Sequence, residues 1–335
     1  MQSVTFKNRS IDMAGNLYLP PNFDQRRTYA AIVAVHPGGG VKEQVAGLYA
    51  DLLAKEGFVT LAFDSAYQGA SGGTPHFLDM PMTRTDDVFS AVDYMTTLPY
   101  VDSERIGVVG VCAGSGYAAK ATSLDHRIKA LATASAVNTG ATARKGWDGK
   151  GTVAEVMATL AAVAKQRTAE AAGSETAYVP YLPPLSDKSA PRDLREASEY
   201  YLTPRGQHPN SQNKMLFNAF GATIGFDAFD LVDPLLTQPL LVIAGDEAGS
   251  LWHSKELHAK APGPKELFLI KGAAHMDLYD GKGAIAAVNK MAATRFCGRP
   301  APRAIVLRPA LRRSFEPTSR RRQTRGALLS LSGGM

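Results

Sequence analysis

Six short apolar runs recur along this chain with helical patterns between them, and no other feature limits its possible folds so sharply. They are AAIVAVH (Ala30 to His36), FVTLAFD (Phe58 to Asp64), IGVVGVC (Ile106 to Cys112), IKALATASAV (Ile128 to Val137), PLLVIAG (Pro239 to Gly245) and ELFLIKG (Glu266 to Gly272). A strand that is apolar on both sides belongs in a sheet covered on both faces, which is the situation of parallel strands in layered α/β proteins. Between the runs, KEQVAGLYADLLAKEG, TRTDDVFSAVDYMTTLP and GKGAIAAVNKMAATRF space their apolar residues by three and four, as covering helices do. Ahead of them, SVTFKN and SIDMAGNLYLP alternate more loosely and predict an antiparallel edge hairpin.

The rhythm stops between about Asn138 and Asp227, where no convincing buried strand occurs. GTVAEVMATLAAVAKQRTAEAA sets Val153, Val156, Leu160 and Val163 on one helical stripe, and YVPYLPPL and ASEYYLTP follow with Pro and Tyr. The expected organisation is a first core part at 1–137, a cap insertion of helices and loops at 138–226, a second core part at 227–298 and a basic, disordered tail at 299–335.

Charge locates the tail. The formal net charge is +6, but residues 299–335 hold nine Arg against the single acid Glu316, so the remaining 28 bases and 30 acids leave the body at −2. A basic surface for nucleic acid is therefore not expected on the folded part. The first residues, MQSVTFKNRS, show no basic-then-apolar leader, and no stretch approaches the ~20 apolar residues that span a bilayer. A cytoplasmic protein without membrane association is expected, with its two cysteines, Cys112 and Cys297, reduced.

Cys112 is the residue with chemical interest. Gly110-Val111-Cys112-Ala113-Gly114 follows a buried strand and precedes SGYAAKATSL, which can be helical. A nucleophile at a sharp strand-to-helix turn needs small residues two places before and after it, because side chains there collide with the neighbouring strand and helix. Ser115 is the rival, but its flanks at the same spacing are Ala113 and Tyr117. In such a sheet an acid follows a later strand and a histidine a still later one. Asp246 comes directly after the Pro239 to Gly245 run, with Glu247 as the alternative acid, and His275 follows the last run. His36 belongs to another loop, His76, His126 and His208 lack the last-strand context, and His253 and His258 are expected to be exposed helix residues. No His, Cys and acid cluster has zinc-ligand spacing.

The loop VAVHPGGGVKEQ supplies the second half of the machinery. Its glycines let the backbone approach a substrate oxygen, and Pro37 has no N–H, so the donor is Gly38 or Gly39. Paired with the N–H of Ala113, Gly38 completes an oxyanion hole. His275 would take the thiol proton, Asp246 would fix the imidazole tautomer, and a thiolate beside the imidazolium at a helix N-terminus predicts a low thiol pKa. Tyr67 and Gln68, on the loop after the Phe58 to Asp64 run, are candidates for the pocket wall.

The stretches HPGGGVKEQVAGLYA, FDSAYQGASGG, RIGVVGVCAGSGYAA and AAHMDLYD resemble the dienelactone-hydrolase-like branch of the α/β-hydrolase superfamily, and are similar to bacterial hydrolases and to fungal polyketide hydrolases or acyl transferases. The resemblance covers about Ser3 to Cys297. It implies an α/β-hydrolase fold with a mostly parallel eight-stranded sheet, helices on both faces and a Cys-His-Asp triad. The insertion departs from the compact dienelactone enzymes. The expected activity is hydrolysis of a carboxylic ester, thioester or lactone without a cofactor, the partner being a small acyl substrate. Acyl transfer through the same acyl-cysteine, or ligand binding without turnover, are the alternatives.

Overall fold

The computed structural model describes residues 1–294; the expected disordered tail and Cys297 lie outside the described residues. In chain order the elements begin with strands β1 (Gln2–Asn8), β2 (Ile11–Tyr18) and β3 (Tyr29–Val35), helix α1 (Val45–Lys55), β4 (Val59–Phe63), α2 (Pro81–Thr97), β5 (Val101–Val111), α3 (Ala113–Leu124) and β6 (Ile128–Ala134). They continue with α4 (Thr139–Lys145), α5 (Val153–Ala171), β7 (Tyr178–Val179), α6 (Arg192–Leu202), β8 (Met215–Leu216), α7 (Phe220–Gly225) and α8 (Val232–Leu235). The last are β9 (Leu240–Gly245), α9 (Leu251–Lys260), β10 (Lys265–Ile270) and α10 (Gly281–Ala293).

Eight strands form one sheet in the order β1-β2-β4-β3-β5-β6-β9-β10. The β1–β2 and β2–β4 pairings are antiparallel, and every pairing from β4 to β10 is parallel. Period-two alternation sends successive side chains to opposite faces, so each parallel strand feeds two cores. Ala31, Val33 and Val35 of β3 join Val88 and Val92 of α2 and Tyr117 and Ala118 of α3 on one face. Ala30, Ile32 and Ala34 join Tyr49 and Leu53 of α1 and Ala284 and Val288 of α10 on the other. This two-sided burial is the reason the strands read as unbroken apolar runs.

Strand boundaries match the sequence reading within two residues except in two places. β5 starts at Val101, five residues before Ile106, because Val101 pairs with Tyr29 across a register shift that the polar stretch Asp102 to Arg105 hides. β6 stops at Ala134, since Ser135 turns away at φ 49° and its hydroxyl donates to the His275 carbonyl at 3.0 Å.

Between β6 and β9 the only pairing among the described residues is a two-residue ribbon, Tyr178 with Leu216 and Val179 with Met215. α5 begins with a capping box in which Thr152 and Glu155 exchange bonds. Its expected apolar stripe does not face a common core. Val163 is buried while Val153 is 78% exposed, so α5 rests on its neighbours through its middle.

Candidate active site

The parallel strands all end on the same side, and the loops that leave them there converge on one cavity of about 310 Å³. Cys112, directly after β5, lines it, as do Gly38 after β3, and His275 and Tyr279 after β10. More than half of the wall comes from the 138–226 segment, including Trp147, Tyr181, Asp193 and Tyr201.

Cys112 caps α3 at φ 54°, ψ −123°, a conformation that a non-glycine residue holds only when its surroundings impose it. Its N–H donates to Ala134 O at 3.0 Å, and its carbonyl accepts from Ser115 N at 2.9 Å and Val137 N at 3.1 Å. The flanking glycines are steric necessities. A Cβ on Gly110 would lie 2.5 Å from the Gly114 carbonyl oxygen, and one on Gly114 would lie 2.3 Å from the Val35 carbonyl oxygen. Ser115 is fully buried and spends its hydroxyl on Gly110 O at 2.8 Å, so it belongs to the turn's framework.

Cys112 is half-buried, and the Tyr279 hydroxyl lies close enough to bear on its thiol. Burial pushes the thiol up to about 11, with the Tyr279 bond and the Ala113 N–H acting in the opposite sense. The low thiol pKa expected from sequence is therefore corrected: the site is too dry, and Asp193 adds negative charge that also opposes the thiolate.

His275 is 2% exposed and starts the 3-10 turn Met276–Leu278. Its Nδ1 lies 2.6 Å from Ser250 Oγ, its Nε2 lies 3.5 Å from the Tyr279 hydroxyl, and the Trp147 ring meets it edge-on at 5.1 Å. Burial lowers its pKa to about 4, and the charge of Asp193 pulls the other way. Both directions favour the neutral forms, a thiol and an uncharged imidazole, and the Tyr279 hydroxyl neighbours the imidazole at 3.5 Å.

Asp246 does not join this group. It is exposed, and its Oδ1 accepts from Gly272 N at 2.6 Å, tying the loop after β9 to the turn after β10. Glu247 is exposed too and pairs with Arg192 at 3.2 Å. The side chain that meets the imidazole from this loop is Ser250, four residues past Asp246, because only Ala248 and Ser250 of this stretch are buried. The buried carboxylate nearest in role is Asp193 of α6, whose Oδ2 accepts from Gly249 N at 2.7 Å and Trp147 Nε1 at 3.0 Å.

Gly38 and Ala113 stand side by side, since a Cβ on Gly38 would be 3.6 Å from that of Ala113. Gly39 has another reason to be glycine. At φ 66° its missing Cβ would fall 2.8 Å from the Tyr181 ring, and its carbonyl accepts from Ser211 Oγ at 2.7 Å, so it supports the 138–226 segment and does not line the cavity. Tyr181 in turn donates to Asp79, which faces the buried Arg84 at 3.4 Å, and Arg84 lies 4.7 Å over the Tyr117 ring. Tyr67 and Gln68 also miss the cavity. Tyr67 packs against Gly73, and the buried Gln68 reaches Leu78 O at 3.4 Å.

Two other histidines, His36 and His253, are framework. His36 is fully buried, accepts from Ser65 N at Nε2 and donates to Pro37 O from Nδ1, and burial holds its pKa far below the ordinary value. His253, expected to be exposed, is 0% exposed: Asn138 N donates to its Nδ1 and its Nε2 faces Thr142 Oγ1 at 3.1 Å, which joins α9 to α4. Among the described residues no group of three or more His, Cys, Asp or Glu is placed to hold a metal ion, and no helix is long and apolar enough to cross a membrane.

A strand-to-helix turn with positive φ at the C-terminal edge of this sheet, faced by a histidine after the last strand, defines the architecture of an α/β-hydrolase. The model of the dienelactone hydrolase family matches residues 13–175. The uncharacterized protein YcjY of Escherichia coli (strain K12) is 45% identical over 281 residues, 83% of this chain and 92% of that one. The crystal structure of the hypothetical protein PA2218 from Pseudomonas aeruginosa superposes with a TM-score of 0.82 at 37% identity, covering 88% of this chain and 92% of that one. A Penicillium crustosum protein named polyketide transferase claH is 23% identical over 283 residues, 82% of this chain and 89% of that one. The chain belongs to the dienelactone hydrolase family, with an α/β-hydrolase fold and a hydrolase-type function.

Proposed function

We propose that this chain cleaves carboxylic ester, thioester or lactone bonds through an acyl intermediate on Cys112. One observation carries the reading: Cys112 is held at positive φ on the floor of a cavity that His275 and Tyr279 share, with the Ala113 and Gly38 backbones beside it. With Nδ1 of His275 2.6 Å from Ser250 Oγ, donation of Nδ1–H to that hydroxyl would fix the tautomer and leave the Nε2 lone pair facing Tyr279.

As Sγ attacks the substrate carbonyl carbon, the thiol proton passes to the Tyr279 oxygen while the Tyr279 proton passes to His275 Nε2. The carbonyl electron pair moves onto oxygen, which faces the N–H groups of Ala113 and Gly38. Collapse expels the alkoxide or thiolate, which leaves with a proton from the imidazolium. Water then attacks the acyl-cysteine, gives a proton to His275, and the Cys112 thiolate departs and is reprotonated as the acid product leaves.

Hydrolysis of p-nitrophenyl acetate and of acyl-CoA thioesters by the wild type and by Cys112→Ala tests this. A loss of about 10³-fold or more in kcat/KM is expected on removing the nucleophile, and equal rates would overturn the reading. The name of the Penicillium crustosum relative favours a second reading, acyl transfer, in which an alcohol or amine replaces water in the second half. Adding such acceptors and analysing products distinguishes the two.

A further inference from the structure

The residues around His275 leave one question open: what stabilises positive charge on the imidazole when it receives the proton. Asp246, the acid in the sequence position for that role, points outward to Gly272. The same loop has no side chain at all at position 249. A Cβ on Gly249 would lie 2.9 Å from Asp193 Oδ2, so the carboxylate of Asp193 occupies the space that a side chain at 249 would fill. Its partners place it firmly there: Gly249 N at 2.7 Å and Trp147 Nε1 at 3.0 Å, with 3% of the residue exposed.

Those partners are also the neighbours of the imidazole. Gly249 precedes Ser250, whose hydroxyl meets His275 Nδ1 at 2.6 Å, and the indole of Trp147 packs edge-on to the His275 ring at 5.1 Å. Asp193 therefore holds both groups that orient the ring, and it lines the same cavity as Cys112 and His275. We propose that Asp193, reaching across from α6 into the vacancy at Gly249, is the acidic positioning residue of this site, orienting His275 through Ser250 and Trp147 and stabilising the imidazolium by its charge. This rests on the reading of Cys112 and His275 as nucleophile and base.

The titratable groups around His275 are Cys112 and Asp193, which share its cavity, Tyr279 on its own turn and His253 from α9. Among these Asp193 has a distinctive signature, because its charge raises both the imidazole and the thiol. Removing it weakens the base and eases direct ionisation of the thiol. Acyl turnover and thiol alkylation should then move in opposite directions, which no general loosening of the site would produce.

The test uses the full chain and p-nitrophenyl acetate, with iodoacetamide as the thiol probe. Asp193→Asn is expected to lower kcat/KM by about tenfold or more while alkylation of Cys112 at alkaline pH is unchanged or faster. Asp246→Asn should turn over at the wild-type rate. Moving the carboxylate, Gly249→Asp combined with Asp193→Ser, should recover most of the loss. Turnover by Asp193→Asn within about twofold of wild type, or turnover and alkylation falling together without recovery in the double variant, would overturn the role of Asp193 alone. Full activity in Cys112→Ala would overturn the underlying reading and this inference with it.

Discussion

The resting thiol gives the sharpest prediction. With Cys112 pushed up to about 11 by burial, its thiolate fraction at pH 7 is about 10⁻⁴, against about 3% for a free cysteine near pKa 8.5. The more basic thiolate is intrinsically more nucleophilic. A Brønsted slope of about 0.45 over a pKa difference of about 2.5 returns roughly a factor of 13, so alkylation should be roughly 20- to 30-fold slower than that of a free thiol. In a Cys297→Ser background, iodoacetamide labelling of Cys112 followed by mass spectrometry from pH ~6 to ~10 should give a logarithmic rate that climbs with pH and shows no plateau near neutrality. A plateau below pH ~8, or labelling faster than glutathione at pH ~7, would show a preformed thiolate–imidazolium pair and refute the argument that desolvation dominates this site.

Three further outcomes are expected. Tyr279→Phe keeps the ring packed against Tyr200 and Tyr201 but removes the hydroxyl that neighbours the imidazole; kcat should fall about 10- to 100-fold with KM little changed, and an unchanged kcat would remove the relay. Gly114→Ala should destabilise the fold by about 3 kcal/mol or more in urea unfolding, because its Cβ meets two backbone oxygens, of Val35 at 2.3 Å and His36 at 2.7 Å, that have nowhere to move; a cost under about 1 kcal/mol would contradict this. His253 is lowered to about 3 from 6.5, chiefly by burial, so its stabilising contribution is full above about pH 6.5 and is lost as pH falls toward about 3. That loss reaches about 2 kcal/mol by pH ~5, and His253→Gln should flatten the fall of stability between pH ~6.5 and ~4; an unchanged slope would count against it.

The strands and their order of use were legible because two-sided burial forces an apolar run, and Cys112 was legible because only small residues at 110 and 114 let the turn form. Local patterns of that kind report local constraints. Asp246 misled for the same reason: it follows a strand, as an acid should, but whether a loop side chain points inward depends on what the loop packs against, and here Gly272 draws it outward. Gly39 misled in the same way, since its missing side chain makes room for the Tyr181 ring from a segment some 140 residues away in sequence. Tyr279 was within reach of sequence reasoning, four residues past His275 on the same turn. Asp193 and Trp147 were not, because nothing nearby in the chain distinguishes a buried helix carboxylate that will meet position 249 from an exposed one.

That long-range dependence bears on how the site can admit a substrate. α6 is fastened at both ends to the loops that carry the site: Arg192 pairs with Glu247 beside its start, and Arg205 just past its end makes two bonds to Asp280, next to Tyr279. Between those ties Asp193 holds Gly249, and Tyr200 and Tyr201 meet Tyr279 edge-on. Lifting α6 would expose these rings and strand the Gly249 N–H and the Trp147 indole N–H together, a cost that accumulates from several buried groups at once. α5 is held more lightly, with Val163 its one buried residue, Val153 and Met157 turned to solvent, and Glu170 accepting from Asn218 Nδ2 at 2.8 Å. The elements of lowest local stability are the ones that open, and any opening that moves α6 would dismantle the positioning of His275.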